Sequence, residues 1–494
     1  MIVPTQSRER HIRRTKIIAT IGPASRDEET LTRLIRAGVD TVRLNFSHGT
    51  ADEHAHVVRL VRGIEQRVGR AVGVLQDLQG PRLRTGPLAG GAPVMLRDGA
   101  ELVLTAREWP EGTADMVSVN YPRLPQDVRP GDRLLLADGA LELEVARSDG
   151  TDIHTVVLQG GELGERKGIN TPNINISLAS PTEKDRNDIT RGVLMGVDHI
   201  ALSFVRTPDE IEATRGMLRS LGAANVSIIA KVERSEAIDN FDDIMRVSDG
   251  IMVARGDLGV DLGVERVPVI QKELVRRTNH RRVPVIVATQ MLESMIGSRR
   301  PTRAEASDVA NAVLEGADAV MLSAETSIGA FPVEAVQTMD RVIREAEVSE
   351  AYREVSRRAA ADNSPDGQDR KIARAVVGLL ADIDAAALIV FSPDDHMPRM
   401  LSLERPTAPV IAFTDSRALY RRMALWHAVQ PQWGERHDNT DALVGYMLTE
   451  AQERGLARAG DQVVVARLAP RETSDAPSFI SVLRIPHQPR GRQA

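Results

Sequence analysis

The segment SIIAKVERSE sets Lys231 and Glu233 two residues apart on an apolar run, and the next apolar run, GIMVARGDLG, delivers Asp257. Residues two apart on a strand share a face, so Lys231 and Glu233 can point the same way, and Asp257 at the end of a neighbouring strand can meet them. One ammonium and two hard oxygen ligands then converge. Mg²⁺ or Mn²⁺ held by two carboxylates beside a fixed lysine suits a phosphorylated or enolate-forming substrate, whose charge the metal and the ammonium stabilise together. Alternating Lys and Glu on a strand also describes a solvated face, so the choice rests on the rest of the chain.

Short apolar runs alternate with helical patterns at 16–21, 41–45, 72–77, 199–204, 227–232, 250–257, 284–289 and 319–325. Strands alternating with helices predict a parallel sheet, and eight is the number that closes a (β/α)₈ barrel. Polar residues crowd the C-terminal ends of these runs: Arg43, Asn45, Asp77, Ser203, Lys231, Glu233, Asp257, Thr289, Ser323 and Glu325. That end of a barrel is where active sites are built. An open dinucleotide-binding sheet would give the same alternation, but GPAS at 22–25 is not its glycine-rich turn.

The spacing breaks once. Residues 82–178 are turn-rich and strand-like with little helical periodicity, which predicts an inserted small β-barrel lid over the catalytic mouth. The expected organisation is an N-terminal extension (1–15), a barrel (16–81 and 179–344), the lid (82–178) and a C-terminal α/β open-sheet domain (345–494) for regulation or assembly.

A net charge of −6 and 3% aromatic residues argue against a nucleic-acid surface. No cysteine is present, which removes thiol chemistry and fits a reducing compartment. No apolar run approaches membrane-spanning length, so the expected location is the cytoplasm and the expected partners are small molecules.

The motifs RRTKIIATIGPAS (13–25), AGVDTVRLNFSHGT (37–50), DLQGPRLRTG (77–86), ERKGINTPN (165–173), IIAKVERSEAIDN (228–240), GIMVARGDLGV (250–260), ATQMLESMI (288–296) and RPTRAEASDVANAVLEGADAVMLSAET (300–326) resemble those of the pyruvate kinase family. The resemblance runs along nearly the whole chain and weakens after residue 345. It implies transfer of phosphate from phosphoenolpyruvate to ADP, giving ATP and pyruvate through a metal-stabilised enolate in the last step of glycolysis, usually by a homotetramer. Lys231 would bridge the transferring phosphoryl group and stabilise the enolate oxygen, and Arg43 would clamp the phosphate. The N–H groups near Arg255, Gly256 and Asp257 would hold the substrate carboxylate. Thr289 would position a water or relay a proton, with Ser323 and Glu325 orienting Lys231, Thr289 or that water. His48, Arg84, Asp138 and Lys167 would face the nucleotide. Two other readings stay open: another metal-enolate barrel enzyme, such as an oxoacid aldolase or mutase, and a catalytically silent regulatory relative.

Two departures from the family pattern carry expectations. Side chains matching a monovalent-cation site are present in Asn45, Ser47 and Asp77, with the Leu78 carbonyl, but Arg82 stands where K⁺-dependent relatives carry Glu. Its permanent charge near Asp77 would replace K⁺. In the C-terminal domain the loop FSPDDHMPR places Asp394 and Asp395 where relatives that respond to fructose 1,6-bisphosphate hold phosphate, and LAPRETSDAP departs from their glycine-rich pattern. An effector bound elsewhere could use Arg399, Arg417 or Arg421.

Overall fold

The computed structural model describes residues 11–137, 139–172, 174, 180–354, 368–437, 439–467 and 479–487. The eight expected runs form parallel strands, Lys16–Thr20, Thr41–Asn45, Gly73–Asp77, His199–Leu202, Ser227–Val232, Gly250–Ala254, Val285–Ala288 and Ala319–Leu322, closed into one barrel. They read as continuous apolar runs because both faces are covered, by helices outside and by neighbouring strands inside. Ile18, Leu75, Ala201, Ile229, Met252, Ile286 and Met321 fill the interior as one buried cluster. The helices begin where the sequence provides caps. Thr50 with Glu53, Thr182 with Asp185 and Thr302 with Glu305 each close a capping box, worth about 1 kcal/mol at each helix start.

After the third strand the chain leaves the barrel for a seven-stranded sheet covering parts of residues 83–170. Alternate residues such as Leu102, Leu104, Leu134, Leu136, Leu141 and Leu143 point into its core. Just beyond its two edge strands, Leu83–Arg84 and Met116–Ser118, the chain is joined by the bridge Thr85–Val119, so the sheet rolls almost into a barrel.

The C-terminal region forms a five-stranded sheet, four strands parallel and the outermost, Phe479–Arg484, antiparallel. Its helices cover both faces, giving two apolar clusters. Before the sheet's edge strand the chain forms an α-helix, Arg417–Arg422, followed directly by a 3₁₀ turn, Met423–Leu425. That tighter turn turns Leu425 into the barrel's own interior cluster, beside Ile18, Leu75 and Ile229. The N-terminal end of the barrel is thus plugged by a residue from the C-terminal domain.

Candidate active site

Ile229, buried in the interior, puts Lys231 on the same inward face one step nearer the C-terminal mouth. The Lys231 ammonium is held three ways: 2.7 Å from Ser203 Oγ, 2.8 Å from Glu233 Oε1 and 3.1 Å from Asp77 Oδ1. Ser203 passes its own hydrogen to the Leu78 carbonyl at 2.7 Å. Across the second and third strands, which pair Asn45 opposite Asp77, Arg43 Nε donates to Asp77 Oδ2 at 2.6 Å and Nη1 donates to Thr20 Oγ1 at 2.9 Å. Glu233 Oε2 accepts the Phe204 amide at 2.7 Å, and Phe204 sits at φ 55°, where a non-glycine residue is strained.

The charges do not balance evenly. Burial opposes ionisation of Lys231, but Asp77 and Glu233 outweigh it and raise its pKa. Asp77 is also buried, yet with both Lys231 and Arg43 against it its carboxyl is held below the usual range. Glu233 is raised, first by burial and then by the Asp257 and Asp77 carboxylates, which the shared ammonium does not offset. The Glu233–Asp257 side of the mouth is therefore short of positive charge. Both carboxylates line the cleft. This donor set fits a divalent metal, since Mg²⁺ keeps several waters and takes one or two carboxylates plus substrate oxygens. Among the described residues no three or more His, Cys, Asp or Glu side chains form a metal cage.

At the seventh strand's end Thr289 and Gln290 have φ values of 70° and 54°, rare for any non-glycine residue and rarer for a β-branched one. The surroundings hold Thr289 there: Gly256 N donates to its Oγ1 at 2.9 Å, its hydroxyl donates to the Ala288 carbonyl at 2.6 Å, and Arg255 Nη2 donates to its own carbonyl at 2.6 Å. The Arg255 guanidinium, with Asp308 2.7 Å from its Nη1, is thus a brace behind Thr289, while the carboxylate site is expected from backbone N–H groups at 255–257 rather than from this side chain. The Gly256 amide is occupied by Thr289. Among the described residues no hydrogen bond joins Ser323 or Glu325 to Lys231 or Thr289. The Glu325 carboxylate accepts the Ser323 amide at 2.7 Å and the Leu292 amide at 3.0 Å, so it fixes two strand-end loops, while Ser203 takes the orienting role at Lys231.

Between mouth and lid lies a cleft of about 370 Å³ bordered by His48, Arg82, Arg84, Arg166, Lys167 and Arg206, a basic wall suited to phosphates. Burial and the nearby Arg82, Arg84 and Arg43 lower the His48 pKa, so it stands neutral there. Lys167 and Arg84 are tied through the neck of the lid, with Arg84 Nη1 donating to the Arg166 carbonyl at 3.0 Å. Asp138 lies outside the described residues. Arg82 does not pair with Asp77, whose carboxylate belongs to Arg43 and Lys231; its guanidinium carbon lies 6.0 Å from the Phe204 ring centroid. Among the expected cation ligands, Asn45 Oδ1 accepts the Ser47 amide at 3.1 Å and the Leu78 carbonyl is taken by Ser203.

Sequence reasoning placed Ser203 at a strand end without a role and passed over Thr20. Both lie at the strand-end level of Lys231 and Arg43, the available signal. In the C-terminal domain Asp394 Oδ1 accepts the His396 amide at 3.1 Å, and Asp395 pairs with Arg422 at 3.2 Å. The proposed effector arginines are engaged: Arg399 Nη1 lies 3.9 Å from Asp249, Arg421 bonds Glu65 at 3.0 Å, and Arg417 lies 3.7 Å over the Trp433 ring. The loop LAPRETSDAP lies outside the described residues.

Comparison with known proteins matches residues 12–336 to the family model "Pyruvate kinase, barrel domain" and residues 370–483 to "Pyruvate kinase, alpha/beta domain". The chain is 41% identical to a pyruvate kinase of Bacillus licheniformis over 92% of its length and 77% of that protein's. It is 38% identical to one of Clostridium acetobutylicum over 95% of its length and 99% of that protein's. A crystal structure of a pyruvate kinase from Cryptosporidium parvum superposes with a TM-score of 0.91 at 34% identity, covering 98% of each chain.

Proposed function

The chain belongs to the pyruvate kinase family, and from that premise we propose that it transfers the phosphoryl group of phosphoenolpyruvate to ADP, giving ATP and pyruvate in the last step of glycolysis. The observation that carries this reading is the Lys231 ammonium held between Asp77, Glu233 and Ser203 at the barrel mouth. Phosphoryl transfer asks for little covalent help from the protein and much positioning. Lys231 has three donors and three partners, so substrate binding exchanges one of them. The contact to Asp77 is the longest of the three at 3.1 Å and Asp77 keeps Arg43, so it yields most easily, freeing a hydrogen for the transferring phosphoryl group and then for the enolate oxygen while Ser203 holds the ammonium in place.

Arg43 spends Nε on Asp77 and Nη1 on Thr20, which fixes its plane and leaves Nη2 without a partner among the described residues to clamp the phosphate. Glu233 and Asp257 would hold Mg²⁺ or Mn²⁺, which when bound neutralises charge on the substrate's carboxylate and enolate oxygens. Thr289 is too weak an acid to act freely and positions the water or relays the proton that reaches the enolate carbon. His48, Arg84, Lys167 and Asp138 belong to the nucleotide side. Activity without K⁺ is supported by Arg82 adding a fixed positive charge to the mouth.

The aldolase or mutase reading lacks a counterpart for the lid and its basic cleft, and a silent relative would not be expected to keep Arg43, Lys231, Glu233, Asp257 and Thr289 together. Assembly as a homotetramer is supported by exposed apolar side chains, Val264, Val269 and Ile328 on the barrel and Ile480 and Val482 on the outermost C-terminal strand. Light scattering tests it, and a monomer at assay concentration overturns it. No helix among the described residues is long and apolar enough to cross a membrane, which accords with a cytoplasmic enzyme. The function is tested by following ATP formation from phosphoenolpyruvate and ADP. Lys231→Met should cost at least about 3 kcal/mol of transition-state stabilisation, roughly a hundredfold or more in rate, while the protein stays folded. Near wild-type turnover in that folded variant overturns the mechanism.

A further inference from the structure

The lid joins the barrel through a neck in which the outgoing strand, Leu83–Arg84, pairs antiparallel with the returning strand, Gly168–Asn170. The outgoing side is fixed by backbone. Gly80 has φ +68°, a Cβ there would fall 2.9 Å from the side chains of Ser203 and Phe204, and its amide donates to Asp185 at 3.1 Å. The returning side is held by a side chain. Arg234 Nη2 donates to the carbonyls of Thr171 and Ile174, at 3.1 and 3.0 Å, just beyond the returning strand. Ile174 is itself part of the lid's apolar core, so a hold on its carbonyl is a hold on the lid.

The other contacts of Arg234 lead to the chemistry. It follows Glu233 directly in the chain. Its Nε donates to Glu236 at 3.2 Å, and Asp261 lies 3.9 Å from Nη2 while accepting the Ser235 amide at 2.8 Å. Asp261 sits on the helix Arg255–Leu262, which also carries Asp257. One planar guanidinium therefore bridges the elements bearing Glu233 and Asp257 and the strand bearing the lid. Only 14% of its side chain is exposed, and its charge is opposed by two carboxylates, so it is committed to this junction rather than to substrate.

We propose that Arg234 is the lid latch: a positioning residue that sets the returning strand, and with it Lys167 and the basic wall of the cleft, at a fixed distance from Glu233 and Asp257. This rests on the phosphoryl-transfer reading for its kinetic consequence but not for its structural one. The acceptor side depends on the lid, whereas Arg43 and Lys231 belong to the barrel. Arg234→Ala should therefore raise the KM for ADP about tenfold and lower kcat severalfold, the scale of losing charge-assisted hydrogen bonds, while the KM for phosphoenolpyruvate stays within about twofold. Arg234→Lys offers one point charge that cannot span two carbonyls and two carboxylates, so it should recover only part of the loss.

The test pairs steady-state kinetics with hydrogen–deuterium exchange. The amides of 168–172 should exchange faster in Arg234→Ala than in the wild-type chain, with the barrel strands unchanged. That readout does not require ATP formation, so an inactive wild-type protein would refute the activity and leave the latch to be judged on exchange alone. Unchanged exchange in the neck overturns the proposal. So does an equal rise in both KM values accompanied by a fall in thermal midpoint, which would mark Arg234 as merely structural.

Discussion

Replacing Ser203 by Ala removes the neutral member of the trio around Lys231. The hydroxyl accepts from the ammonium at 2.7 Å and donates to the Leu78 carbonyl at 2.7 Å, in a site where Ser203 is 1% exposed. A hydrogen bond to a charged group contributes about 1.5–3 kcal/mol, and here its loss also leaves the Leu78 carbonyl unpaired in a buried setting. The two carboxylates remain and draw the ammonium toward Asp77 and Glu233, away from the position from which it serves the substrate. If that interaction is expressed mainly in the transition state, kcat falls by roughly ten- to a hundredfold at saturating phosphoenolpyruvate and ADP. Ser203→Thr keeps the hydroxyl and should recover much of the rate. ATP formation measured beside a denaturation curve separates the two effects. A folded Ser203→Ala protein with kcat within about twofold of wild type would falsify the view that Ser203 sets the lysine.

Activity should not require K⁺: in buffers free of K⁺ and NH₄⁺ at constant ionic strength, adding K⁺ should change turnover by less than about twofold, while Arg82→Glu should create a dependence. The expectation rests on the permanent charge of Arg82 in the cleft wall, which disfavours a further cation at the same mouth. A tenfold activation of the wild-type enzyme by K⁺ contradicts it. Fructose 1,6-bisphosphate should not activate through the 392–396 loop, where Asp394 and Asp395 stand; activation lost on mutating that loop would show otherwise. Asp40 is buried, which alone would raise its pKa, but Arg13, Lys16 and Arg70 pull it down to about 2. A depressed carboxyl stabilises the fold fully above its unfolded value near 4 and loses that contribution as pH falls through about 2, some 2–3 kcal/mol in total. The stability difference between wild type and Asp40→Asn should therefore shrink between pH 5 and pH 2, and a constant difference across that range counts against the pairing.

The barrel was legible because periodicity is local information. Runs such as SIIAKV and GIMVA carry their own strand signal, and the two-residue spacing of Lys231 and Glu233 fixes a common face without any tertiary knowledge. Partner choice was not legible. Arg255 follows its strand directly and could have faced substrate, but Asp308, on a helix distant in sequence, draws it behind Thr289. Glu325 stands beside a candidate serine, yet a carboxylate so buried is taken by the nearest free backbone amides. Arg82 was expected at Asp77, where two closer cations already neutralise the charge. The lid's strands could be read from alternation, whereas the bridge that rolls its sheet depends on residues far apart in the chain, Thr85 and Val119.

The Leu425 plug bears on how the chain is made. Synthesis runs from the N-terminus, so all eight barrel strands leave the ribosome before the segment that fills the end of their interior. Until Met423–Leu425 arrives, the nascent barrel has an open floor onto Ile18, Leu75 and Ile229, an apolar surface of the kind that chaperones bind and aggregates grow from. Truncated chains ending near residue 345 carry the whole catalytic constellation and still lack part of the barrel's core. For chimeras the same contact sets a compatibility rule: a C-terminal domain exchanged between relatives brings its own plug, and the recipient barrel must have the cavity to receive it.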